Sequence, residues 1–289
     1  MTAFAYYPGC SLHATAREYD DSARAVLSSL GHELVELEDW NCCGATSAHS
    51  LRSDLALLLP ARNLALAAQS GKDLVLPCAA CFNRHKSAAH ALQGEGAERT
   101  SGMRALGGPF LPPAAVRPLL DVVGRDVGAQ ALHARTQRPL NDLPVVSYYG
   151  CLLVRPPRVT QFDDPEHPQI MDHLLQAVGA QPRRWECATE CCGGGLSLTR
   201  PRSTERLVSR LADQARETGA AAIVTSCPLC QMNLEMRQPR GKARIPIFFF
   251  TELLGLAMGL RQAETWWPKH LISPRPLLAR YGLTGGRAN

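Results

Sequence analysis

Ten cysteines carry the chemistry available to this chain. Cys10, Cys42, Cys43, Cys78 and Cys81 form the pattern C-x31-CC-x34-C-x2-C. Cys151, Cys191, Cys192, Cys227 and Cys230 repeat it as C-x39-CC-x34-C-x2-C. The last four members of the two sets differ by a constant 149 residues, and only the first interval stretches, by eight. The eleventh cysteine, Cys187, falls outside the pattern. Thiolates grouped in this way are soft ligands, so metal ligation is their leading role.

Which metal the bare spacing favours is a question of ligand number. Structural zinc takes four ligands in tetrahedral geometry, often from CxxC pairs. Each half offers five thiolates, and adjacent side chains such as Cys42 and Cys43 diverge, which is awkward for one ion. A cubane [4Fe–4S] cluster uses four thiolates, one per iron. Five suit a polynuclear iron site in which the paired cysteines hold different irons or one of them bridges. Gly44 and Gly193 follow the pairs and permit positive φ and close backbone approach to a bulky group. Zinc remains the alternative at this point.

The elements that must position these thiols alternate between strand and helix. Residues 3–7 read as a strand ending at Gly9-Cys10, followed by a helix at 16–30 with Tyr19, Ala23, Val26, Leu27 and Leu30 at helical spacing. Leu34–Leu37 is a second strand, 51–69 a helix that Pro60 is expected to kink or divide, and Leu74–Leu76 a strand leading to Cys78. The second half repeats the order: strand Val145–Tyr149, helix 169–178, helix 203–218, strand Ala221–Thr225, then Cys227. Between the halves, Gly94, Gly96 and Gly107-Gly108 mark a loop, and Val116–Ala134 has the spacing of a connector helix. Arg155–Pro168, with four prolines, holds the eight extra residues and reads as an ordered or lid-like loop. The fold class is therefore α/β: two similar halves related by internal duplication, each a mainly parallel sheet with flanking helices. The expected domains are 1–141 and 142–289. Each cysteine group then sits past the C-terminal end of a strand, where open α/β sheets carry ligands.

Composition narrows the function classes. The chain has 289 residues, 45% apolar and 20% charged, with a formal charge of +5. Basic residues are scattered, so nucleic-acid binding is not expected. Met1–Cys10 lacks a basic n-region and long apolar run. Ile245–Leu260 is too short for a membrane span and reads as core. Cytoplasmic location follows as the expectation, with reduced thiols used for metal or redox chemistry. Neither a G-x-G-x-x-G fingerprint nor a C-x2-C-x2-C run is present, so flavin, NAD and cubane clusters are not expected in this chain.

The duplicated pattern resembles the CCG-type cysteine-rich domain, and two copies resemble the B subunit of heterodisulfide reductase. The resemblance is carried by the ten cysteines together with Tyr6–Cys10, Tyr148–Pro157, Phe162–Pro165, Glu190–Gly194, Ser226–Asn233 and Phe250–Leu256. It implies that each five-cysteine set binds one non-cubane [4Fe–4S] cluster, two in all, facing one another across a pocket between the halves where a disulfide enters. It also implies partners: a small ferredoxin-like subunit with cubane [4Fe–4S] clusters, a flavin-containing subunit, and a disulfide or sulfur-carrier substrate. The implied activity is that of an oxidoreductase acting on sulfur groups. High Arg and Ala content points towards a bacterial genome and a sulfur-oxidising variant. The alternatives are electron transfer to a quinone through a membrane partner, and a structural zinc protein.

Residues close to the cysteines add further candidates. His13, three after Cys10, is a candidate proton donor to a leaving thiolate. Arg155 and Arg158 are candidates for holding an anionic group. Trp40 and Trp185 precede the cysteine pairs and are expected to wall the sites from solvent. Cys187 reads as a buried free thiol. Histidines 32, 49, 85, 90, 133, 167, 173 and 270 show no ligand spacing and are expected mostly at the surface.

Overall fold

A computed structural model describes residues 2–45, 48–94, 96, 104, 107, 110–239 and 243–285. The side chain of His49, and Gly108 of the connector loop, lie outside the described residues. The first half runs β1 (Thr2–Tyr6), α1 (Gly9–His13), α2 (Arg17–Ser29), β2 (His32–Glu36), α3 (Ala48–Leu51), α4 (Ser53–Gln69), β3 (Leu74–Leu76), α5 (Ala79–Gln93) and β4 (Val116–Pro118). A helical run follows, from α6 (Leu119–Asp121) through a π-helical segment (Val122–Val127) into α7 (Gly128–Arg135). The second half runs β5 (Leu143–Tyr148), α8 (Cys151–Val154), α9 (Pro157–Thr160), α10 (Ile170–Ala177), β6 (Ala180–Pro182), α11 (Pro201–Glu217), β7 (Ala222–Thr225), α12 (Pro228–Arg237), β8 (Ile247–Phe249), α13 (Phe250–Ala257) and α14 (Arg275–Arg280).

Each half is a four-stranded, all-parallel sheet, ordered β2-β1-β3-β4 and β6-β5-β7-β8. The expected α/β duplication is therefore what the chain forms. The inner strands β3 and β7 are buried at every residue, as parallel strands covered by helices on both faces must be. One apolar core runs through both halves, from Phe4 and Leu27 to Leu254 and Leu278.

The structure departs from the expected elements in four places. Pro60 does not divide α4, whose buried Ala61, Leu64 and Ala67 hold it in one piece despite the lost N–H. Val116–Pro118 is a strand paired with β3, not the start of a helix. Pro118 disfavours helical backbone at Arg117, so the helix begins only at Leu119. Strands β4, β6 and β8 have three residues each, too few to show a period. Within the prolines of 155–168, Pro157–Thr160 is a helical turn, because Pro at the first position fits a helix start.

The halves interlock across a seam. Helix α1 of the first half packs on α12 of the second, and α8 and α9 of the second pack on α5 of the first. Helix α2 lies on α13. There Tyr19 stacks on Phe249 at 4.1 Å, its hydroxyl donates to the Ser226 carbonyl at 3.1 Å, and the hydroxyls of Ser22 and Thr251 meet at 2.6 Å. The C-terminal segment is tied in by His270, contrary to the surface expectation. Its side chain is fully buried, with Nδ1 2.9 Å from Glu235 and Nε2 2.9 Å from Glu252.

Candidate metal centre

All ten patterned cysteines gather at the C-terminal edges of the two sheets, as anticipated. In the first half, Cys10 opens the turn after β1, Cys42 and Cys43 follow β2, and Cys78 and Cys81 sit between β3 and α5. The second half matches this with β5, β6 and β7. Cys43 and Cys81 place their sulfurs 3.3 Å apart, and their counterparts Cys192 and Cys230 place theirs 3.7 Å apart. The backbone N–H of Gly44 donates to Cys42 Sγ at 3.4 Å, and that of Gly193 to Cys191 Sγ at 3.3 Å. Cys10, Cys42 and Cys191 are exposed, whereas Cys43, Cys78, Cys81, Cys192 and Cys227 are buried and Cys151 and Cys230 partly so. Each site thus has a dry inner wall and an edge towards solvent.

The seam brings the two sites together. The thiols of Cys78 and Cys227 approach across it closely enough to perturb one another: Cys227 pushes Cys78 up against the opposing effect of Cys81, while Cys230 and Cys78 hold Cys227 down. Tyr19 stands beside both. The contact between the Cys-Cys pair and the CxxC motif acts alike in both sites, but Cys42 is raised by Cys43 whereas its counterpart Cys191 is lowered by Cys151. Hydrogen bonding lowers Cys43 and raises Cys42 and Cys81. It likewise lowers Cys192 and raises Cys230.

A buried tyrosine backs each site, and the motif reading missed it. Tyr7 donates to the Asn41 carbonyl at 2.9 Å, and Tyr148 to the Glu190 carbonyl at 2.7 Å. Both carbonyls belong to the residue immediately before a Cys-Cys pair. Burial pushes both phenols up, and four nearby thiolates push further in each case. Trp40 packs edge-on to Tyr7 at 5.1 Å, and Trp185 to Tyr148 at 6.0 Å. The signal was available as Y-x-x-C in both halves, Tyr7 to Cys10 and Tyr148 to Cys151.

Backbone shape at the first cysteine is equally matched. Gly9 has φ +73° and Gly150 φ +68°, conformations that L side chains rarely adopt. A Cβ on Gly9 would stand 3.2 Å from both Cys81 Sγ and the Tyr7 ring. One on Gly150 would stand 3.3 Å from Cys230 Sγ and 3.5 Å from the Tyr148 ring. These glycines leave open a cradle against the CxxC sulfur.

The donor set fits an iron–sulfur group. It consists of thiols with sulfur-directed N–H groups, in pockets where five negative thiolates need a cationic centre. Among the described residues, no three His, Cys, Asp or Glu side chains converge closely enough to hold one metal ion.

His13 Nε2 is 2.8 Å from Glu36 and its ring meets Trp40 edge-on at 5.1 Å, so it braces the wall of the first site. Arg155 pairs with Glu166 at 3.0 Å and approaches Thr189 Oγ1 at 3.4 Å. Arg158 lines a separate cavity. Cys187 is 1% exposed in the second half's core, as expected of a structural thiol. His85 is fully buried, a correction to the surface expectation. Burial lowers it, so it is neutral, with Nδ1–H donating to the Cys81 carbonyl at 2.8 Å and Nε2 left to accept from Asn63 at 3.3 Å.

Comparison with known proteins agrees with this geometry. The cysteine-rich domain family CCG matches residues 4–84 and again 145–235. The chain is 31% identical to the 8-methylmenaquinol:fumarate reductase membrane anchor subunit of Wolinella succinogenes, over 90% of this chain and 94% of that one. It is 26% identical to the B subunit of the ferredoxin/F420H2-dependent CoB–CoM heterodisulfide reductase of Methanosarcina acetivorans, over 99% of both chains. It is 28% identical to an Archaeoglobus profundus protein named for its likeness to the heterodisulfide reductase B subunit, over 90% of this chain and 91% of that one. A hypothetical protein from Helicobacter pylori shares the fold at a TM-score of 0.72 and 14% identity; it covers 93% of this chain, which spans about half (51%) of its length. Among the described residues, no helix is long and apolar enough to cross a membrane. The chain belongs to the CCG cysteine-rich domain family, carries that domain twice, and is a redox subunit related to the heterodisulfide reductase B subunits.

Proposed function

We propose that this chain is a cytoplasmic, two-cluster subunit of a heterodisulfide reductase-like complex, acting in disulfide/thiol or sulfane-sulfur redox chemistry. Cys10, Cys42, Cys43, Cys78 and Cys81 would hold one [4Fe–4S] cluster, and Cys151, Cys191, Cys192, Cys227 and Cys230 the other, both of non-cubane type. The observation that supports the reading is the approach of the two five-thiol sets at the seam, where Cys78 and Cys227 are close enough to perturb one another. When bound, two such clusters would exchange two electrons at one place, the number that cleaving one S–S bond consumes and forming one releases. The chain's own residues provide the surroundings. Tyr7 and Tyr148 fix the carbonyls ahead of the cysteine pairs, and Trp40 and Trp185 pack against those tyrosines at the rim. Tyr19 and the Ser22–Thr251 contact lock the halves in register, so that the separation of the sites is fixed.

Electrons would come from a small ferredoxin-like subunit with cubane clusters and a flavin-containing subunit, since the chain has motifs for neither group. A second reading, electron transfer towards a quinone or quinol partner without sulfur chemistry, is favoured by the similarity to the fumarate reductase subunit. Anaerobic purification with iron and sulfide analysis tests the first step: about eight irons per chain are expected. Titrating the reduced protein with a small disulfide and following its EPR spectrum separates the two readings. A signal altered by the disulfide supports sulfur chemistry. An unaltered signal that a quinone analogue reoxidises supports the relay.

A further inference from the structure

The eight residues that break the internal symmetry build a cavity. Helix α9, inside that insertion, lies on α5 of the first half, and with residues 112–116 it encloses about 310 Å³. Lys86 and His90 enter from α5 and Arg158 from α9. Asn83, Lys86, His90 and Gln93 fall at i, i+3, i+7 and i+10, a stripe on the α5 face turned to the second half. Asn83 anchors that face by donating to the carbonyls of Leu152 and Arg155, at 3.0 and 2.7 Å.

Among the described residues that line it, the charged side chains are of one sign. Among the described residues, Lys86, His90 and Arg158 have no ion-pair partner. Asp121, the acid that acts on Lys86, is already bound to Arg117 at 2.7 Å and Arg125 at 2.6 Å. Burial holds the half-buried Lys86 ammonium below its ordinary value. An anion would offset that desolvation, and the Arg158 fork matches a carboxylate or phosphate. Val116 and Val159 supply an apolar wall, and the volume is at the small end of ligand pockets.

We propose that this cavity binds a small organic acid, its carboxylate or phosphate head held by Lys86 and Arg158 and its short apolar body lying on Val116 and Val159. The site is separate from the thiols and does not depend on which cluster they hold.

Calorimetry on the anaerobically purified full chain tests this with acetate, butanoate, orthophosphate and butyl phosphate. Butanoate is expected to bind about tenfold tighter than acetate, as two buried methylenes give, and butyl phosphate tighter than orthophosphate. Lys86→Ala and Arg158→Ala should each weaken butanoate at least about tenfold, with iron content and melting temperature unchanged, while Arg280→Ala on the exposed face of α14 leaves binding intact. The proposal is overturned if butanoate and butyl phosphate give no saturable heat, if both variants bind like wild type, or if orthophosphate outbinds butyl phosphate.

Discussion

Replacing Gly9 by Ala probes the reasoning about the cradle directly. Gly9 has φ +73°, and its added Cβ would meet Cys81 Sγ and the Tyr7 ring at 3.2 Å. Left-handed backbone costs an L residue about 1–2 kcal/mol, and that part is unrelated to the thiols. Gly31 isolates it, because its φ is +82° and a Cβ there meets nothing within 4 Å. Gly31→Ala should therefore lower the melting temperature a few degrees and keep full iron, at about 2–4 °C per kcal/mol. Gly9→Ala carries the same backbone cost and must also displace the CxxC sulfur by a few tenths of an ångström. With only the first site disturbed, its iron should fall to roughly half that of wild type, one four-iron group of two. Gly150→Ala, 3.3 Å from Cys230 Sγ, should lose the other half. The assay is iron and acid-labile sulfide per chain, with melting measured on the same samples. Full iron in Gly9→Ala, or equal loss in Gly31→Ala, would refute the cradle.

Three further outcomes follow from buried groups. His270→Gln strips the cation from two buried carboxylates and should cost about 3–5 kcal/mol, read as a lower melting temperature. Although burial alone would lower it, the carboxylates of Glu252 and Glu235 raise His270 from 6.5 to about 11. Its stabilisation is thus complete below pH 6.5 and lost as pH rises through 11, so the gap between wild type and variant should shrink from pH 7 to pH 10. Glu18 is raised from 4.5 to about 7 by burial and the Glu252 charge, and its buried Oε2 has no partner. The sign is the same: the unfolded chain loses its proton first, so stability falls as pH rises from 4.5 to 7, by about 3 kcal/mol at most. Glu18→Gln should match wild type at pH 4 and be the more stable at pH 8 in thermal melts. Cys187→Ala should keep full iron and cost less than about 2 kcal/mol, whereas Cys192→Ala should lose iron from the second site.

The sequence by itself determined the thiol set and the duplication. Ligand type and spacing are properties of the chain, so the ten cysteines, the 149-residue offset and the α/β order could be read directly. Core strands with continuous apolar runs, such as Ala222–Thr225, were equally legible. Strand β3 was legible as the apolar run Leu74–Leu76, but the equally short β4, β6 and β8 were not, because they form only when neighbouring strands supply their hydrogen-bond partners. Nor did periodicity mark Tyr7, Tyr148, His85 or His270, whose roles depend on partners 34, 42, 22 and 35 residues away. What only the tertiary structure decided is how the halves dock. Cys78 and Cys227 are 149 residues apart in the chain, and they approach because α1 and α12, and α5 and α8, pack across one shared core. Long-range packing of that kind depends on the shapes of buried faces, and no local pattern in the chain encodes it.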